Sequence, residues 1–189
     1  MKIAIVGRIG TGKSTVMKII KELGGNTILT DELNRTLLSD PKYVKLIDVN
    51  FKGVVNDKAI DKAKLKNIIF NDDVARQKLN SIAHPLIYKM IDRMTAKNGL
   101  YFVEIPLFEE SSKAIVFDKI CAVKASRLLR AKRVSARDNI SEEDALKIID
   151  LQSKEERVYD YADYVIENDG NYDDLYLKVK NFYSQCKIG

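Results

Sequence analysis

Histidine is almost absent from this chain: there is one, His84, among 189 residues. A metal centre built from several imidazoles is therefore excluded. Cysteine is nearly as scarce. Cys121 and Cys186 stand far apart and make no C-x-x-C pair, which fits a reducing, cytoplasmic setting. Cys121 lies in an apolar stretch and reads as a small core residue. No apolar run approaches the roughly 20 residues that a membrane-spanning helix needs, so no membrane association is expected. The first residues already form an apolar strand pattern, and no signal peptide is expected. Internal repeats, low-complexity segments and proline- or glycine-rich linkers are all missing. What remains is one domain, large enough to bury a real core, with room for a small appended lobe.

Charge of one sign forms no tail. Lys and Arg number 32 against 27 Asp and Glu, a net +5. The positive charges are interleaved with acids, and there is no basic tail or aromatic–basic repeat, so nucleic acid is not an expected partner. The excess suits polyanionic ligands and equally suits a surface that only aids solubility.

What is present begins at residue 7. Gly7-Arg8-Ile9-Gly10-Thr11-Gly12-Lys13-Ser14 is G-x-x-x-x-G-K-S, a phosphate-binding loop pattern. Glycines let the backbone wrap tightly and turn its N–H groups inward onto phosphate oxygens. The positive end of the next helix adds to that field. Lys13 is expected to reach the β/γ-phosphates and Ser14 to ligate Mg²⁺. The context agrees. Lys2-Ile3-Ala4-Ile5-Val6 is a short apolar run suited to a buried parallel strand. Val16, Ile19, Ile20 and Leu23 then share one helical face, and Gly24-Gly25 stops that helix.

Five apolar runs read as strands, at 2–6, 26–30, 100–105, 117–123 and 162–166, with helical patterns between them. Such alternation predicts an α/β fold, a five-stranded parallel sheet with helices on both faces. The gap between the second and third runs is too long for one crossover. It holds a mostly helical insert, here taken as 32–98, suited to binding an acceptor. Residues 124–158 form a second block. Arg130, Arg133 and Arg137 share one helical face there, with Arg127 and Lys132 nearby. The block reads as an arginine-bearing lid, against the alternative of a solvated basic face. Ser141 reads as a helix N-cap with acids behind it, and Gln152 as the end of that helix. The core would then be 1–31, 99–123 and 159–189.

A guanine-reading N-K-x-D, a D-x-x-G switch after the third strand and an ABC-type signature are all missing. Switch and motor readings lose their motifs, and a small-molecule kinase remains.

The motifs, taken in order, resemble the dephospho-coenzyme A kinase family along nearly the whole chain. That family's loop usually reads G-G-I-G-S-G-K-S. Its second strand ends in D-A-D-x-x-x-R, similar to Leu29-Thr30-Asp31 with Arg35. Its H-P-x-I matches His84-Pro85-Leu86-Ile87. Its P-L-L-F-E looks like Pro106-Leu107-Phe108-Glu109-Glu110. Its R-x-x-x-R-D matches Arg133 to Asp138, and its A-D-x-V-I-x-N-x-G is similar to Ala162 to Gly170. Arg8 departs from the second glycine and is free to point outward, adding a phosphate contact or none. Leu29 departs from the first acid. Glu109, where an aromatic is usual, leaves open whether it or Glu110 is the functional acid.

The resemblance implies a phosphate-loop kinase fold and transfer of the ATP γ-phosphoryl group to the ribose 3′-hydroxyl of dephospho-CoA, giving CoA and ADP, with Mg²⁺; a monomer is expected, although the sequence does not determine it. Lys13, Asp31 and Arg137 would be catalytic. Gly7, Arg8, Ile9, Gly10, Thr11, Gly12, Lys13, Ser14, Thr15, Arg133 and Arg137 would bind ATP, with Asn168 and Gly170 near adenine. Asp31, Arg35, His84, Pro106, Leu107 and Glu110 would bind the acceptor. Glu104 would join Ser14 at Mg²⁺ through water. Asp31 is either the base or a cap of the following helix, and His84 either touches acceptor or packs before Pro85. Arg130, further from the Arg137–Asp138 pair, is expected to matter less. Two alternatives stay open: a nucleoside monophosphate or shikimate-type kinase of the same fold, and a nucleotide-binding protein without transfer activity.

Overall fold

A computed structural model describes residues 1–105, 115–151 and 158–188. The chain divides into two compact units, Met1–Leu29 with Lys97–Gly189, and Thr30–Ala96.

The first unit is built on a parallel sheet. Strand β1 (Lys2–Val6) is its centre, because Ile3, Ala4, Ile5 and Val6 are apolar without alternation and must be covered on both faces. Helix α1 (Lys13–Glu22) follows, with Val16, Met17, Ile19 and Ile20 buried. It ends before Gly24, and the Gly25 N–H closes it by donating to the Ile20 carbonyl at 2.9 Å. Strand β2 (Asn26–Leu29) is one residue shorter than its apolar run, since Thr30 already belongs to the next helix.

The second unit begins there with α2 (Thr30–Leu37) and α3 (Pro41–Asn50). A hairpin follows, β3 (Val55–Asn56) and β4 (Ala59–Ile60), then α4 (Lys62–Asn71) and α5 (Asp73–Met94). Asp40, Asp61 and Asp72 each accept backbone N–H groups at the starts of α3, α4 and α5. The helical pattern of the insert does not reveal the hairpin. Its strands are too short for a two-residue period, and its turn uses Asp57 and Lys58 at positive φ (48° and 63°) where glycine would have signalled it.

The chain returns to the first unit with β5 (Tyr101–Glu104) and β6 (Lys119–Lys124). Helices α6 (Arg127–Asp138), α7 (Glu142–Leu151) and the short α8 (Val158–Tyr161) precede β7 (Tyr164–Glu167) and α9 (Tyr172–Ile188). The sheet order is β2-β5-β1-β6-β7, with every neighbouring pair parallel. This is the expected five-stranded parallel sheet, with every strand end within two residues of the expected one. Ser141 caps α7 as expected, its hydroxyl accepting from the Asp144 N–H at 3.1 Å.

Helices α1 and α9 bury one face of the sheet. Phe102 lies at its centre, with ring centroids 5.8 Å from Phe182 and 5.7 Å from Tyr183. Ala4, Val6, Val103 and Ala122, on the opposite face, are also fully buried. Cys121 and Cys186 are free thiols in this core. Burial drives both thiols up, Cys186 to about 11, so neither ionises near neutrality and both are packing residues.

Phe102→Ala would empty the middle of this cluster. The expected loss is about 3–5 kcal/mol of unfolding free energy, read from urea denaturation. A loss under about 1 kcal/mol would mean that this face of the sheet is not the core.

Candidate active site

The chain leaves β1 for one side of the sheet and later crosses to β6 on the other. A reversal of strand order of this kind opens a crevice at the carboxyl end of the central strand, where open α/β sheets take ligands. The Gly7–Gly12 loop occupies that end.

At its far side α1 starts without a cap. Gly12 holds the N-cap position in a left-handed conformation (φ 95°, ψ 24°) and has no side chain to cap with, and no acid stands in the first turn. At α4 and α5, Asp61 and Asp72 cap the corresponding first turns; an uncapped helix start is the kind of place where anions bind. Thr11 is fully buried, and its hydroxyl donates to the Arg8 carbonyl at 2.9 Å. Lys13 curls back over the loop, its Nζ donating to the carbonyls of Gly7 at 2.6 Å and Arg8 at 3.2 Å. Ser14 is exposed in the first turn, and the Thr15 N–H donates to the Gly12 carbonyl at 3.0 Å. Arg8 does not point outward; it is 6% exposed.

Three consecutive loop carbonyls face donors from elsewhere in this unit. The Ile9 carbonyl accepts from Arg130 Nε at 2.9 Å. The Gly10 carbonyl has a longer contact, 3.5 Å, with Arg133 Nη1. The Thr11 carbonyl accepts from Asn168 Nδ2 at 2.8 Å. Arg133 Nη2 also donates to the Asn168 carbonyl at 3.0 Å. This packing requires two of the glycines. A Cβ on Gly10 would stand 2.8 Å from the Arg130 carbonyl oxygen, and one on Gly12 would overlap Asn168 Nδ2.

Helix α6 is thus seated on the loop. Ile9 strengthens the seat by packing against Ala131, Val134, Ala145 and Ile149 of α6 and α7. Asp169 holds the start of α6, accepting from the Ser126 N–H at 2.7 Å. Hydrogen bonds from the Ser126 backbone and hydroxyl keep the Asp169 carboxyl below the usual range. Arg127 forks onto Asp150 of α7 at 3.0 and 2.7 Å. Arg137 forks onto its neighbour Asp138, at 2.7 Å for both bonds.

The arginine block is therefore not a uniform solvated face. Arg130 and Arg133 grip the loop, Arg127 ties two helices together, and Arg137 is exposed at the far end of α6. Arg130, expected to matter less to turnover than Arg137, is 5% exposed and bonded to the loop. The signal for it is its three-residue spacing from Arg133. Nothing local in the sequence marks Asp169 as the anchor of α6.

In the second unit Asp31 is the second residue of α2, two past the end of β2. It is exposed, and among the described residues its carboxylate accepts no backbone N–H, unlike Asp40, Asp61 and Asp72. The capping alternative therefore has no bond to support it. Arg35 is exposed one turn later. His84 is half-buried on α5 with its ring 5.6 Å from that of Tyr88. In the first unit, Glu104 ends β5 beside Ile5 and Leu29. Gly170 lies in the loop before α9. Pro106, Leu107, Phe108, Glu109, Glu110 and Gln152 lie outside the described residues. Among the described residues no three His, Cys, Asp or Glu side chains gather to hold a metal, and no helix is long and apolar enough to cross a membrane.

A model of the dephospho-CoA kinase family matches residues 1–174. The dephospho-CoA kinases of Aquifex aeolicus (strain VF5) and Fusobacterium nucleatum are 32% and 33% identical to this chain, over 97% and 96% of it and 96% of each relative. Among solved structures, a Thermus thermophilus protein superimposes with TM-score 0.81 at 27% identity, covering 98% of this chain and 97% of that one. A dephospho-CoA kinase from Campylobacter jejuni gives 0.71 at 29%, with the same coverage. The shikimate kinase of Bacteroides thetaiotaomicron, at 13% identity and TM-score 0.58, shares the fold.

Removing the grip of α6 separates stability from chemistry. Arg130→Ala removes the Nε–H that the Ile9 carbonyl accepts and opens a gap, and should lower unfolding free energy by about 1–3 kcal/mol. Arg137→Ala, at an exposed position, should stay within about 0.5 kcal/mol of wild type. Equal effects in urea denaturation would contradict the two placements.

Proposed function

The chain belongs to the dephospho-CoA kinase family, and on that premise we propose that it transfers the γ-phosphoryl group of ATP to the ribose 3′-hydroxyl of dephospho-CoA, releasing CoA and ADP. The observation that carries this reading is the uncapped, acid-free start of α1 behind a glycine loop, a place for phosphate and for little else. Phosphoryl transfer asks a protein mainly to position reactants and neutralise charge. Gly7 to Thr15 would hold the triphosphate through backbone amides, and Lys13 would exchange its loop carbonyls for phosphate oxygens. Arg137 would leave Asp138 to neutralise charge at the transferring group. Asp31, whose carboxylate is uncommitted to its helix, would take the proton of the acceptor hydroxyl. Arg35 and His84 would bind acceptor.

Mg²⁺ fits these residues as an ion that arrives with the nucleotide. Few protein ligands are needed for that hard cation, and the exposed Ser14 hydroxyl is an oxygen donor of the right kind in the first turn of α1. Glu104 would act through water. When bound, the ion would neutralise phosphate charge. A monomer working in the cytoplasm is the setting we propose.

The decisive assay is ADP release across dephospho-CoA, AMP, CMP and shikimate. Dephospho-CoA should be far the best acceptor, because its pantetheine and diphosphate arms offer remote binding energy that can orient the hydroxyl. Equal turnover of AMP would move the enzyme to the nucleoside monophosphate kinases. Lys13→Ala should cost several kcal/mol of transition-state stabilisation, and a rate within about threefold of wild type would overturn its role. Asp31→Asn should lower kcat steeply with little change in the KM for ATP. Arg137→Ala should lower kcat, by about 10³-fold at the upper end for an arginine of this kind.

A further inference from the structure

We infer that Asn168 is a positioning residue of the phosphate loop: its amide pins the Thr11 carbonyl outward and so aims the Gly12 N–H at the nucleotide phosphates. The inference rests on the reading of the loop as the ATP site and goes further, since the place of Asn168 in the chain by itself suggests only a position beside adenine.

The geometry is specific. Asn168 is 5% exposed, so its side chain is committed to protein partners. Nδ2 meets a carbonyl, Thr11 O at 2.8 Å, and Oδ1 meets a guanidinium, Arg133 Nη2 at 3.4 Å. Only one orientation of the amide satisfies both, because the carbonyl needs a donor and the arginine needs an acceptor. The Asn168 backbone is held as well. Its N–H donates to the Lys124 carbonyl at 2.8 Å, extending the β6–β7 ladder, and its carbonyl accepts from Arg133 at 3.0 Å. The amide is therefore presented from the rigid end of the sheet.

The effect on the loop follows from the planarity of the peptide. In a trans peptide the C=O and the following N–H point in opposite directions. Fixing the Thr11 carbonyl on Asn168 turns the Gly12 N–H to the other side, toward the anion. A glycine at φ 95° has many other conformations available. The Asn168 contact removes most of them before nucleotide arrives, so less ordering is left for binding to supply. Asn168 also shares Arg133 with the loop, and one side chain thereby couples the end of β7, the loop and α6.

Binding of phosphate alone and of base alone separates this role from an adenine contact. Asn168→Leu keeps the branching and roughly the volume but cannot donate. Tripolyphosphate, ADP and adenosine are titrated calorimetrically against wild type, Asn168→Leu and Lys13→Ala, with dephospho-CoA binding as a control for fold. Losing one hydrogen bond's worth of preorganisation should weaken tripolyphosphate and ADP about tenfold, with adenosine and dephospho-CoA within twofold, a margin of about 0.4 kcal/mol. Weakening of adenosine to the same degree as ADP would overturn the inference in favour of a base contact. Unchanged binding of all three would overturn it in favour of packing alone. Wild type that binds tripolyphosphate no better than Lys13→Ala would bring down the phosphate-loop reading itself. A second measurement needs no folded variant. In isotope-labelled wild type the Asn168 side-chain amide should exchange slowly with and without ADP and shift with tripolyphosphate but not with adenosine. A shift with adenosine alone would overturn the inference.

Discussion

The site depends on one arrangement: three consecutive carbonyls of a glycine-containing loop meet donors on Arg130, Arg133 and Asn168. A loop with glycines at its turns is free to adopt many conformations, and that freedom opposes any single binding-ready shape. Here the surrounding protein restricts it in advance. The arginine donors are charged, and hydrogen bonds to charged groups are worth more than neutral ones. Ile9 adds an apolar anchor among Val134, Ile149 and their neighbours. The loop is therefore an extension of the packed structure, although its composition alone describes a flexible turn.

The sheet makes this possible. Four of the five residues of β1 are fully buried, so the strand is held on both faces and both edges, and its carboxyl end is a fixed point. Strands β6 and β7 bring Asn168 and Asp169 to the same end, one beside the loop and the other at the start of α6. Three helices of the second unit start with an Asp whose side chain accepts their first amides, and α1 does not. Under the proposed function, that departure from ordinary helix chemistry is where the nucleotide phosphates would sit, and ligand binding would restore the stability it costs.

Much of this is legible in the amino-acid sequence. The loop, the helix behind it and the five strands follow from short-range patterns: apolar runs, a helical period, and glycines at the stops. The Ser141 cap is equally local. The rest depends on the tertiary path. Asn168 and Thr11 are 157 residues apart, and only the strand order places them together. Helical spacing puts Arg130, Arg133 and Arg137 on one face but does not say that the loop lies against the first two and not the third. The hairpin at Asp57 and Lys58 escapes a pattern reading because its turn lacks glycine. Arg8 is free to point outward by its position in the motif, and only the packing of the fold buries it.

The most direct test is a pair of crystal structures, one free and one with ADP. A loop held from outside should keep its backbone within about 1 Å between the two. The Arg130–Ile9 and Asn168–Thr11 hydrogen bonds should persist in both, while Lys13 leaves the Gly7 and Arg8 carbonyls for phosphate. A loop that refolds around ADP, with Asn168 released from Thr11 and turned to the adenine, would contradict the account.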